Sequence, residues 1–178
     1  MQIKIVIASV LAATSGSVIA NSATAECRPG PTRLQLPGQT LAERIKMLSR
    51  ATGCTIEANP RQVAGKRASV LRGNVTTDEA IFRSVKGTGL EASPVQGRWQ
   101  INRDQQHFFA GRIAKSQARI AAGQKAGRLT NAQATSFRRQ LAAVREGVAI
   151  NVRDQGFLSA AELSNYRSTV DRVDQRLR

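Results

Sequence analysis

The clearest register along the chain is helical. Leu41, Ile45 and Leu48 fall at i, i+4 and i+7, with Glu43, Arg44, Lys46 and Arg50 directed away, which predicts an amphipathic helix over 41–51. Thr40 and Glu43 stand at capping-box spacing at its start, and Gly53 supplies a left-handed cap at its end. Cys54-Thr55-Ile56-Glu57-Ala58 then alternates apolar and polar, as a half-buried strand does. The unit returns at an offset of 36 residues: Thr76 and Glu79 make a second box, Ile81 and Val85 a second buried face, and Thr88-Gly89 a second close. Leu90-Glu91-Ala92 leaves it as a strand. Between the copies Asn59-Pro60 turns the chain, and Ala68–Val75 reads as a strand in which Gly73 suggests a bulge. Arg98–Asn102 alternates behind a turn at Gly97, the second arm of a hairpin. The predicted order is β(33–36) α(41–51) β(54–58) β(68–75) α(77–86) β(90–95) β(98–102).

From Asp104 onward there is no proline, and the period stays helical to the end. Gly127-Arg128-Leu129-Thr130-Asn131-Ala132-Gln133 aligns with Gly156-Phe157-Leu158-Ser159-Ala160-Ala161-Glu162 at an offset of 29, each a glycine turn followed by a capping box. Phe137, Leu141, Val144 and Val148 match Tyr166, Val170, Val173 and Leu177 behind them. These stripes predict antiparallel helices near 106–124, 131–150 and 160–177. The expected class is α+β: a small two-helix, short-strand domain at 26–103, then a helical domain at 104–178.

The first 25 residues form a separate piece. Lys4, the apolar run Ile5–Ala13 and the closing Ala23-Thr24-Ala25 have the three parts of a secretory signal peptide, with cleavage expected before Glu26. The run is too short for a membrane span, so a soluble exported chain is expected. Export places Cys27 and Cys54 where a disulfide can persist, and two cysteines allow one connectivity. Two free buried thiols are the alternative; a bridge would close a loop of about 27 residues for roughly 3 kcal/mol.

The chain carries a net charge of +15. Residues 26–103 and 104–178 each hold 13 cations and 6 anions, so neither half is a basic tail. Such a surface steers toward acidic partners, or simply keeps the chain soluble.

At this level the residues resemble a known family. Leu34-Gln35-Leu36-Pro37-Gly38-Gln39-Thr40-Leu41, Thr52-Gly53, Val63-Ala64-Gly65-Lys66-Arg67, Gly73–Ile81 and Gly87-Thr88-Gly89-Leu90 look, in order and spacing, like the secretin and TonB N-terminus short domain over residues 34–103. The resemblance implies a periplasmic α+β module that binds proteins and does no catalysis. In that family it signals from outer-membrane receptors to an anti-sigma regulator, or sits where secretin channels are entered. The implied partners are thus an anti-sigma regulator, a receptor or a secretin component, and the implied location is the periplasm, in association with the outer membrane. Only 75 helical residues follow the domain here, so the chain is expected to be neither receptor nor channel. Cys54 departs from the family, which shows an aliphatic residue there.

Chemistry is sparse. His107 is the only histidine and has no triad around it; it is expected at a helix start beside Phe108 and Phe109, read as the side chains that dock the helices on the first domain. A calcium loop over 151–162 fails because Arg153 occupies a ligand position. No metal, cofactor or catalytic residue is expected. Trp99 alone offers a stacking ring on the sheet, so nucleic acid ranks below protein as a partner. The expected partner contacts are Lys66, Arg67, Arg98, Gln100 and Arg103. The alternative is an anionic envelope polymer such as lipopolysaccharide, met by Arg138, Arg139, Arg145, Arg167, Arg172 and Arg176.

Overall fold

The computed structural model describes residues 27–178, so the expected signal peptide lies outside the described residues. The chain runs β1 (Thr32–Leu36), β2 (Gln39–Thr40), α1 (Leu41–Thr52), β3 (Ile56–Ala58), α2 (Pro60–Val63), β4 (Arg67–Ala68), β5 (Leu71–Val75), α3 (Thr77–Val85), β6 (Glu91–Val95) and β7 (Arg98–Asn102). Three long helices follow: α4 (Asp104–Lys125), α5 (Asn131–Gln155) and α6 (Ala160–Arg176). The fold is α+β. Sheets are small: β1 pairs antiparallel with β5, β2 with β4, and a three-stranded sheet takes the order β3-β7-β6 with β3 parallel to β7.

Local chemistry explains the boundaries. Thr40, Thr130 and Ser159 cap α1, α5 and α6 through full boxes with Glu43, Gln133 and Glu162. At α3 the box is half made: Thr76 accepts from the Glu79 amide, while the Glu79 carboxylate turns to Arg83 at 3.3 Å. The two Thr-Gly pairs share one arrangement. Each threonine hydroxyl donates to a helix carbonyl, Thr52 to Leu48 and Thr88 to Val85, and accepts from the amide two residues on, at Cys54 and Leu90. They differ in place, because Gly53 ends α1 directly whereas α3 stops at Val85, ahead of Thr88-Gly89. Two strand expectations change as well. Gly73 makes no bulge, since the β1–β5 register runs unbroken from Thr32↔Val75 to Leu36↔Leu71. The break falls instead at Ser69-Val70, where exposed residues divide β4 from β5.

Two hydrophobic clusters form among the described residues. One joins Leu34, Leu41, Leu48, Ile81, Leu90, Trp99 and Ile101 with their neighbours; the other joins Phe109, Ile113, Ile120, Phe137, Leu141, Val148 and Val170. The Cys27–Cys54 disulfide is formed, with Cα atoms 4.5 Å apart, and holds the N-terminal arm on the first cluster. Arg44 corrects the sequence reading. It is fully buried, because it lies three residues from Leu41 and four from Leu48, on the face they bury.

The helices meet the first cluster at the turn between α5 and α6. Gly156 O accepts from Ala92 N at 2.8 Å, Arg153 O from Gly87 N at 2.9 Å, and Phe157 stacks on Phe82 with ring centroids 4.1 Å apart. Phe82 in turn meets Trp99 edge-on. The docking ring is therefore Phe157: Phe109 is buried in the helical cluster, and Phe108 is exposed beneath the Arg167 guanidinium.

Candidate functional site

The three-stranded sheet has two unlike edges. In the β6–β7 hairpin, closed by Gln96 and Gly97 at φ 48° and 79°, the alternate residues Ala92 and Pro94 direct their backbone outward. Ala92 N–H is taken by Gly156 O, and proline has none to offer, so that edge is closed. On the other side Trp99 N donates to Thr55 O, which in a parallel ladder turns Thr55 and Glu57 toward β7 and leaves the N–H and C=O groups of Ile56 and Ala58 facing out. Among the described residues nothing pairs with them.

A groove of about 370 Å³ lies beside this open edge. Its polar lining comes from Glu57, Asn59, Gln62, Gln100, Asn102 and Asp104. The period of two puts Arg98, Gln100 and Asn102 on the outer face of β7, and the register sets Gln100 opposite Glu57. Arg98 donates to Glu57 at 2.9 Å, a surface pair worth at most about 1 kcal/mol. Asn102 donates to Asp104 at 2.8 Å, while the buried Gln62 Oε1 has no partner among the described residues. The groove thus sets two carboxylates among four amide side chains on a basic protein. It suits main-chain amides and a cationic side chain, and it shows no nucleophile paired with a base.

The sequence-expected contacts divide accordingly. Gln100 lines this groove, and Arg98 reaches it through its pair with Glu57. Lys66 and Arg67 belong to the separate β2–β4 pair, where Lys66 O accepts from Leu41 N. Arg103 lies at the N-cap of α4, its guanidinium beside Gly89. Sequence reasoning missed Glu57, Gln62 and Asp104; the alternation that placed Glu57 on the outer face of a strand was its available signal. Of the six arginines expected to meet an anionic polymer, all are exposed, but they spread along α5 and α6 instead of sharing one face. His107 is exposed on α4.

One buried acid stands behind the site. Arg103 gives α4 no side-chain cap, and the Glu91 carboxylate supplies it from β6 by accepting from the Gln105 amide. Burial raises the Glu91 pKa, backbone bonds from Gln105 and Gln106 oppose the rise, and the charge of Asp104 adds to it. A carboxyl raised in the folded state binds its proton before the unfolded chain does. Stability therefore falls as pH rises from the ordinary carboxylate range through the folded value. Glu91→Gln is expected to remove that slope, and pH-dependent urea denaturation reads it: wild type should lose stability relative to the variant as pH rises, and a constant difference would show that Glu91 does not titrate in that window.

No protein-family model and no curated protein matches the chain. Among solved structures, the crystal structure of the ferripyoverdine receptor of the outer membrane of Pseudomonas aeruginosa bound to ferripyoverdine is similar, at 22% identity and a TM-score of 0.39. The match covers 40% of this chain and 10% of that one. It is a loose likeness to an outer-membrane receptor. The disulfide fits an oxidising compartment, and no helix among the described residues is long and apolar enough to cross a membrane.

Proposed function

We propose that this chain is a non-catalytic periplasmic interaction module of the secretin and TonB N-terminus short-domain kind, which receives an extended segment of a partner protein along β3. The carrying observation is the unlike edges of the sheet: β6 is closed by Gly156 and Pro94, while β3 is open beside a groove that holds the Glu57 and Asp104 carboxylates. Strand addition there would satisfy the Ile56 and Ala58 backbone groups, and a basic side chain of the segment would find Glu57 and Asp104. The partner is an envelope protein: an anti-sigma regulator, a receptor or a secretin component.

Ala58→Pro tests this reading. It removes an edge-directed N–H and leaves the groups of Glu57 that face β7 in place. With a photo-reactive residue at Gln100, capture of the periplasmic partner is expected to fall about tenfold in the proline variant, the effect of one lost main-chain hydrogen bond and a crowded edge. Undiminished capture, in a variant whose thermal unfolding matches wild type, would reject the β3 edge as the binding site.

A further inference from the structure

The basic residues are even between the two halves of the sequence, but the fold does not leave them even. α4 and α6 run the same way and α5 runs back, as Arg112 with Asp171, Tyr166 with Asn151 and Gln124 with Asn131 show. The bundle therefore has a docked end, at Gly156, and a far end where the α4–α5 turn meets the last turn of α6. Segments 115–139 and 171–178, which fold together toward that far end, carry nine cations and two acids. Both acids are engaged: Asp171 and Asp174 pair with Arg112, and Asp174 also accepts from Ser116 at 2.6 Å. Burial opposes ionisation of Asp174, and the Ser116 and Arg112 bonds outweigh it, so its carboxyl stays charged and committed.

At this end Arg119, Arg128, Arg176 and Arg178 line one cavity of about 160 Å³. Arg119 reaches Asp174 only at 3.7 Å, and the other three have no ion pair among the described residues. The floor is apolar. Leu129 and Leu177 pack on the helical cluster, and Gly123 lets the turn come close, since a Cβ there would stand 2.8 Å from Leu129 Cδ1. Four like charges around one small concavity repel one another, and a group carrying one or two negative charges relieves that repulsion. Guanidinium forks match the oxygen geometry of phosphate in particular.

We propose that this far end binds the phosphate group of an anionic lipid at a membrane surface. The volume equals that of about five waters, room for one phosphate and its attachment and for little more. Aliphatic side chains beside the guanidinia suit a headgroup that continues into hydrocarbon. No aromatic ring lines the cavity, so it lacks the stacking platform of a single-strand binder. The site is separate from the β3 groove. Together the two would hold a protein segment at one end of the molecule and a membrane at the other. Of the six arginines expected to meet an anionic polymer, only Arg176 lines this cavity; Arg119, Arg128 and Arg178 complete it.

The test is cosedimentation of residues 26–178 with phosphatidylcholine vesicles that contain phosphatidic acid, against vesicles matched in charge with oleate. Phosphatidic acid vesicles should bind more tightly than oleate vesicles. Arg128→Ala with Arg176→Ala should weaken that binding about 30-fold, from about 5-fold for each basic residue at a lipid surface. The charge-matched pair Arg33→Ala with Arg72→Ala, on β1 and β5, should weaken it less than about 3-fold, and circular dichroism confirms that both variants fold. Equal losses in the two pairs would reduce the effect to diffuse charge and overturn the proposal. So would equal binding to oleate vesicles, inorganic phosphate occupying the chain as tightly as the vesicles do, or duplex DNA held through Arg128 and Arg176 in their place.

Discussion

Arg44→Ala is expected to destabilise the α/β part of the molecule by about 3–5 kcal/mol, the cost of a core cavity together with buried carbonyls left without donors. The guanidinium is fully buried on α1 and ties three segments together. Nη2 donates to Pro37 O at 2.7 Å and to Ser69 O at 2.8 Å, and Nη1 donates to Ser84 Oγ at 3.1 Å on α3. No carboxylate pairs with it among the described residues, so two carbonyls and a hydroxyl carry its solvation. Burial pulls its pKa below the usual value, yet arginine stays charged in proteins. Alanine leaves a cavity and two carbonyls without partners. Lysine is expected to lose most of the same stability, because one ammonium cannot span the three acceptors. Arg44→Met keeps the volume without the bonds, and chemical denaturation should place it between wild type and alanine. A methionine variant as stable as wild type would mean that the bonds to Pro37 and Ser69 contribute nothing net.

Gly156→Ala should cost about 3–5 kcal/mol and loosen the helices from the sheet. Two effects add. Gly156 ends α5 at φ 83°, where an L-residue costs roughly 1–2 kcal/mol. Its new Cβ would also stand 2.6 Å from Val85 Cγ2, 2.7 Å from Phe82 O and 3.3 Å from Lys86 N. Two of those atoms are backbone, so relief requires the end of α3 to move, toward the upper part of the ~1–3 kcal/mol typical of overpacking. Gly127 provides the internal control. It occupies the aligned position of the first repeat at φ 68° with nothing within 4 Å of a Cβ, so Gly127→Ala should cost only the conformational part, about 1–2 kcal/mol. Urea denaturation of both variants measures the gap, and amide exchange at Ala92, whose N–H is bonded to Gly156 O, reports the loosening. Equal losses at the two glycines would mean that the turn does not press on α3.

Much of this fold is legible because its punctuation is local. Thr40 with Glu43, Thr130 with Gln133 and Ser159 with Glu162 act within one turn of helix, and a glycine at a left-handed cap needs no distant partner to be recognised. What the sequence concealed depends on two elements meeting. Arg44 reads as a surface cation until Pro37, Ser69 and Ser84 surround it, although its spacing from Leu41 and Leu48 already set it on the buried face. Phe108 and Phe109 sit at the start of the helical part and so drew the docking role; Phe157, far along the chain, fills it because the turn after α5 returns to Phe82. The candidate groove was half visible. Arg98 and Gln100 follow from alternation on β7, whereas Gln62 arrives with α2, a four-residue helix with Asn59 as its N-cap and Pro60 at its first position. Lys66 and Arg67 lie off this groove, because β4 pairs with β2 and takes no part in the three-stranded sheet.

The two turns of the helical repeat carry one further consequence. They align residue for residue, glycine with glycine and cap with cap, and the residue after each glycine differs: Phe157 in one, Arg128 in the other. That one position works as an address. Phenylalanine sends its turn into the neighbouring core, and arginine keeps its twin in water with a free charge. The repeated turn is thereby directional, one copy a joint and the other a terminus, and the helices ahead of the two copies also end differently, α4 at Ala126 and α5 at Gly156 in the left-handed region.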